Sequence, residues 1–312
     1  MATKDEKRRS REREYEEVLV VIKEMVNTLN TSLEGIETQP FNSEDYMRFY
    51  TAVYNITSPH PIREYSQELY DKYREICEEH LNSKVLPSLR GKRDQDLLQE
   101  LVRKWANYKT MTRWLSRFFH YLERYFIPIR QLPSLQENSF IAFYNLVYGE
   151  INGQVRNTVI SMVWSDTVTE FSEFSFLIES LDFILYVFMN FDLQINQERN
   201  GELIDQELVK SIVTIYVEMG IESMKYYEQD FEESLLKESA VFYSENASKW
   251  MQNEPYEDYM FMVEKCLKRE KEIVSSYLQA TTQKKILQVW SVTSNVWKCE
   301  FLASESQCQT GG

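Results

Sequence analysis

The chain has 312 residues, of which 43% are hydrophobic and 27% charged, a globular balance long enough to bury a sizeable core. Its net charge of −14 disfavours a general nucleic-acid binder, which needs a basic face to meet phosphates. Only 8 Gly and 7 Pro argue against a turn-rich β protein. Cys77, Cys266, Cys299 and Cys308 show no paired metal spacing, and with 3 His in all a zinc site is not expected. The four read as free thiols in a reducing compartment.

The N-terminus "MATKDEKRRSREREYEE" has no apolar core and is no secretory signal. "KRRSRER", Lys7 to Arg13, reads either as a nuclear-import patch or as the solvated first turns of a helix. Val18, Val21, Ile22, Met25, Val26 and Leu29 then trace one apolar helical face. After Pro40 a second helix is predicted, with Ser43 as its N-cap and Glu44 and Asp45 in the first turn. Tyr46, Tyr50, Val53 and Tyr54 share one side of it, bordered by Met47.

Leu69, Tyr73, Ile76 and Leu81 predict a third helix, stopping near Pro87. Leu97, Leu98, Leu101, Val102 and Trp105 predict a fourth. "MTRWLSRFFHYLERYFIPIR" is the strongest element, with Met111, Trp114, Leu115, Phe118, Tyr121, Leu122 and Tyr125 at helical spacing and Pro128 at its exit. Further helices are predicted over 140–163, 203–219, 224–250 and 259–278. No segment alternates with period two for long. The expectation is therefore all-α, in stacked helical layers.

Chemistry-bearing motifs are absent: no phosphate loop, no nucleophile elbow and no His-x-x-x-His pair. His60 sits between prolines in a loop, and His80 and His120 read as satisfied or solvated. The pairs Glu78-Glu79 and Glu232-Glu233 read as solvated faces rather than acid–base dyads. No enzyme, no cofactor and no metal are expected.

Several blocks, in order, carry a resemblance: "SEDYMRFYTAVYN", "YSQELYDKYREICEEHLNSKVLPSL", "WANYKTMTRWLSRFFHYLERYF", "ERNGELIDQELVKSIVTIYVEMG" and "DYMFMVEKCLKREKEIVSSYL". Together they resemble the N-terminal region of the cullin family, and of the scaffold of SCF-type ubiquitin ligases in particular. The resemblance covers roughly 13–163 and 197–288. It implies an elongated α-solenoid of cullin repeats, each a five-helix bundle, with about two repeats and the start of a third. The implied divisions are a charged segment 1–14, a first repeat 15–150, a second repeat 151–270 interrupted at 164–196, the start of a third at 271–288, and a non-family tail 289–312.

The resemblance also implies a partner. The first repeat of such cullins binds a BTB/POZ-fold adaptor, the Skp adaptor with its F-box receptors, through the second and fifth helices. By position that role passes to Tyr46, Met47, Tyr50 and Tyr54, and to Met111, Leu115, Phe118 and Tyr121. The implied location is cytoplasm and nucleus. The RING-binding and modifier-accepting regions of a whole cullin have no counterpart here, so no RING partner is expected. A ligase-incompetent competitor of whole cullin, and a non-functional fragment from aberrant splicing, both stay open.

Trp164 to Asn196 has no counterpart in the family pattern. Within it "FSFLIESLDFILYVFMNFDLQIN" is aromatic and lacks Lys and Arg. Glu179, Asp182 and Asp192 interrupt it, so it is not expected to span a membrane, which takes about 20 apolar residues. Its composition suits translated intron.

Overall fold

The computed structural model describes residues 4–34, 41–57, 65–174, 205–221, 223–241 and 278–289, with single positions between 244 and 276. The chain divides into two compact units, Met1–Ile151 and Asn152–Gly312. Among the described residues every regular element is helical, with no strand.

In the first unit α1 (Lys4–Glu34) lies against α2 (Ser43–Thr57), and both meet α5 (Asp94–Phe118). On the other side of the unit α3 (Ser66–His80) packs on α7 (Leu135–Phe143). Val18, Ile22, Met25 and Leu29 form the buried stripe of α1. Phe41 enters from the connection and sits edge-on to Phe49, Trp114 and Phe118 at 5.4, 5.5 and 5.2 Å. Edge-to-face contacts of this kind add to the large apolar area that each ring removes from water.

Four features depart from the sequence expectation. The cap of α2 is Asn42, not Ser43: its Oδ1 accepts the Asp45 N–H at 2.8 Å. Asn one residue earlier supplies the acceptor that the first turn needs. The fourth and fifth expected helices are one helix, α5. Tyr108 is fully buried and bridges Trp105 to Met111 and Thr112, so the inward face never breaks.

The helical segments do end near Pro87 and Pro128, at Leu89 and Arg130, but the chain passes each proline before it leaves the helix. Each is preceded by a π-helical turn, Leu81–Val85 and Leu122–Phe126, and each then sits in a short α-helical turn, α4 (Leu86–Leu89) and α6 (Ile127–Arg130). Leu86 N–H bonds back to Leu81 O and Ile127 N–H to Leu122 O, one residue further than in an α-helix. Widening the turn just before the proline draws the preceding carbonyls away from its ring, which would otherwise clash. Finally, α5 ends at Phe118, so Tyr121 and Tyr125 lie in the turns that follow it.

A buried hydroxyl network ties α3, α5 and α7 together. Ser139 Oγ donates to Leu135 O at 2.8 Å and accepts from Tyr73 OH at 2.7 Å. Tyr108 OH donates to Ser139 O at 2.8 Å. His80, on α3, is also satisfied: its Nδ1 lies 2.9 Å from Asn30 Oδ1. At the start of α7, Ser134 and Glu137 form a reciprocal capping box.

In the second unit α8 (Gly149–Phe174) and α9 (Gln206–Met219) are the longest described elements. Asp205 Oδ1 caps α9 by accepting the Leu208 N–H at 3.0 Å. Gly220 follows it, where an added Cβ would meet Ser223 O at 1.8 Å, so no side chain fits. A π-helical turn, Tyr227–Glu232, leads into helix 233–241.

Glu232 corrects a sequence reading. It is 2% exposed, not a solvated carboxylate. It accepts from Thr282 Oγ1 at 2.7 Å and Lys285 Nζ at 2.6 Å, while Tyr227 OH lies 2.6 Å from the same Thr282 Oγ1. A buried carboxylate persists only when so partnered. Its neighbour Glu233 is exposed and pairs with Lys237.

Among the described residues no helix is long and apolar enough to cross a membrane, and no group of His, Cys, Asp or Glu is placed to hold a metal ion. Cys77 is a buried free thiol, whereas Cys266, Cys299, Cys308 and His60 lie outside the described residues. The backbone of α8 carries the first part of the unmatched segment as helix to Phe174, and the remainder, 175–196, lies outside the described residues, as does the tail 290–312.

Candidate functional site

Tyr46, Tyr50 and Tyr54 recur every fourth residue on α2, so they rise one above another along one flank. Their rings stack, Tyr46 on Tyr50 at 6.1 Å and Tyr50 on Tyr54 at 6.0 Å, with interplanar angles of 11° and 18°. Tyr54 then meets Tyr121 edge-on at 5.5 Å, and Tyr121 meets Tyr125 at 4.9 Å. Five tyrosines thus make one continuous aromatic strip from α2 to the turns after α5.

The strip is partly open to solvent. Tyr54 is 38% and Tyr125 42% exposed, Tyr46 and Tyr50 are half-buried, and Met47 beside them is 56% exposed. The inward face of α2 is different: Phe49, Val53 and Thr57. Val53 therefore belongs to the core rather than to the tyrosine face.

Of the eight residues singled out from the sequence, the structure brings Tyr46, Met47, Tyr50, Tyr54 and Tyr121 to this surface, Tyr121 being mostly covered. Met111, Leu115 and Phe118 are 0% exposed, so they lie beneath it as core. The α5 surface is already used by α1, α2 and Phe41, which leaves these three no route to a partner. Phe118 still shapes the strip, since its ring supports Tyr46 at 5.5 Å. Tyr125 was missed as a site residue. Its signal was its spacing, four residues beyond Tyr121.

Charged groups frame the strip. Arg48 is bidentate to Glu24, with Nη1 to Oε2 at 3.1 Å, and its guanidinium lies 4.6 Å over Phe49. The hydrogen bond to Arg48 holds the Glu24 carboxyl below its ordinary range. Arg117 covers Trp114 at 4.9 Å and Arg124 covers Tyr125 at 5.4 Å.

The strip offers neither a nucleophile with a base nor a carboxylate dyad. It offers flat apolar plates with hydroxyl groups and one flexible thioether. Aromatic and Met side chains of this kind are enriched at the cores of protein interfaces.

Residues 26–293 match the family described as cullin, in its cullin alpha solenoid domain. The chain is 43% identical over 263 residues to Cullin-1 of Oryza sativa subsp. japonica, covering 84% of this chain and 31% of that protein. It is 37% identical over 273 residues to putative cullin-like protein 1 of Arabidopsis thaliana, covering 88% of this chain and 33% of that protein. To cullin-like protein 3 of the same plant it is 34% identical over 257 residues, covering 82% of this chain and 87% of that protein. The chain spans about a third of the length of the first two.

Proposed function

The chain belongs to the cullin family, and from that premise we propose that it is a scaffold of an SCF-type ubiquitin ligase whose first unit docks a Skp-type, BTB/POZ-fold adaptor on the tyrosine strip. Cullins are scaffolds rather than catalysts, which agrees with a surface made of plates and edges. The observation that carries the reading is the exposed Met47 beside the stacked Tyr46, Tyr50 and Tyr54. Fixed aromatic rings lose little rotamer freedom on binding, and a neighbouring Met adapts to the partner's contour. Through the adaptor the chain would reach F-box receptors, in the cytoplasm and nucleus. A fluorescent fusion excluded from both compartments would remove that location.

The deciding experiment is capture of a purified Skp-type adaptor by the unmodified chain, followed by chromatography. Tyr46→Ala with Met47→Ala is expected to weaken capture by about tenfold or more, as loss of central anchors does. Helical circular dichroism should stay intact, because neither side chain is core. Unchanged capture by the double variant, or none by the parent chain, would remove this assignment.

A further inference from the structure

The tyrosine strip lies on α2 and the turns after α5, and a second feature lies along α5 itself. Between Val102 and Gln136 the sole carboxylate is Glu123, in a chain whose net charge is −14. Three cations of this stretch lie beside a groove of about 340 Å³ between α5 and α7. Lys109, Arg113 and Arg117 line it together with His120 and the carboxylate Glu123, and Phe140 closes it with a mostly buried ring.

The acids near Arg113 and Arg117 are engaged elsewhere. Glu123 Oε2 accepts the Leu135 N–H at 3.0 Å and so holds the start of α7. Glu100, about two and a half turns before Lys109, is taken by Lys92 at 3.1 Å and Arg103 at 2.6 Å. Among the described residues no carboxylate pairs with Arg113 or Arg117. Arg113 is exposed and Arg117 is held only over Trp114.

We propose that this groove is a docking site for an acidic peptide segment of a partner protein, separate from the tyrosine strip. Residues 109, 112, 113 and 116 fall on one side of a helix that turns about 100° per residue, whereas Trp114 and Phe118 face the strip. The cations from Lys109 to Arg117 extend over about 12 Å of helix, longer than a single tetrahedral anion and matched by about four residues of extended chain. Arg supplies a planar fork for each carboxylate. A nucleic acid would meet the same cations, but its longer and denser line of phosphates would run beyond the groove into the field of a strongly acidic protein, which a segment of about four residues does not.

The test is fluorescence anisotropy of labelled hexaglutamate titrated with the full chain at low salt. Binding is expected, weakening steeply as salt is added. Lys109→Glu with Arg113→Glu should weaken it by about tenfold or more, while Arg8→Glu with Arg9→Glu, which changes net charge equally on α1, should change it less than about twofold. Circular dichroism and adaptor capture should be retained in both variants. Absence of binding by the parent chain would overturn the proposal, as would equal loss in the two double variants. Displacement by inorganic phosphate at the peptide's own concentration would reduce the groove to an ion site. A single-stranded oligonucleotide bound more tightly than the peptide would also overturn it.

Discussion

On the flank of α2, Tyr46, Tyr50 and Tyr54 stack in a part-exposed column, while within the same unit Tyr73 and Tyr108 are wholly buried. The buried pair spend their hydroxyls on Ser139, one on its Oγ and one on its carbonyl, and so fasten α3 and α5 to α7. The column makes ring contacts and leaves its hydroxyl groups to solvent or to a partner. The same residue type serves as a rivet in one place and a plate in the other. What separates the two uses is whether a neighbouring element supplies a hydrogen-bond partner, because a buried hydroxyl without one is costly.

The largest expected effect comes where the two regions share a support. Phe118 touches Phe41, Phe49 and Tyr46, so Phe118→Ala removes a core ring and the backing of the strip together. A loss of about 3–5 kcal/mol in urea unfolding is expected, the usual cost of truncating a buried Phe. If stability hardly moved while adaptor capture vanished, Phe118 would belong to the docking surface and not to the core.

Raising the pH tests the buried network as a whole. Burial pushes the Cys77 thiol, beside Ser139, up to about 11 from 9.0. Burial likewise raises the Tyr73 and Tyr108 hydroxyls well above their ordinary value. Between pH 9 and 11 the unfolded chain gives up the Cys77 proton and the folded one keeps it, so stability present below 9 is lost as pH rises. Two units correspond to about 2–3 kcal/mol. The urea midpoint should fall across that window, and Cys77→Ala should flatten the fall. An unchanged slope in Cys77→Ala would show that the thiol is not the group titrating.

Which of these regions was legible in advance depends on how local its cause is. The all-α class and the stripe Val18, Ile22, Met25, Leu29 follow from spacing alone. The inward face of α2 does not. Tyr46, Phe49, Tyr50, Val53 and Tyr54 crowd into one arc of about 140°, so spacing does not separate core from flank, and only Phe41 and Phe118 arriving from elsewhere select Phe49 and Val53 as core. Met111, Leu115 and Phe118 looked equally fit for a surface or a core, because apolar spacing marks burial without saying by what. Glu232 was misread for the same reason: Thr282 and Lys285, its partners, stand 50 and 53 residues away. The prolines were legible to within two residues, since the helical segments end at Leu89 and Arg130; what no local rule showed is the π-helical turn that carries the chain past each one.

Removing single hydroxyls sharpens the contrast further. Tyr73→Phe keeps the ring and takes away the O–H that Ser139 Oγ accepts at 2.7 Å. The serine oxygen is then buried with one partner fewer, at an expected loss of about 1–3 kcal/mol. A chemical-denaturation midpoint equal to that of the parent would mean that the network contributes nothing beyond ring burial.

The smallest stability effect should come from the column. Tyr54→Phe keeps both ring contacts, to Tyr50 and to Tyr121, and among the described residues its hydroxyl bonds to no protein group. Stability should therefore stay within about 0.5 kcal/mol of the parent, as for most surface substitutions. Adaptor capture need not stay the same. If a partner carbonyl or carboxylate takes the Tyr54 hydroxyl, its loss leaves that acceptor unpaired in the interface, and capture should weaken by about fivefold or more. A variant that folds like the parent and binds more weakly identifies the hydroxyl as one kept for a partner. A variant that folds less well and binds in proportion would place Tyr54 with Tyr73 and Tyr108, and the distinction between rivet and plate would not hold at this position.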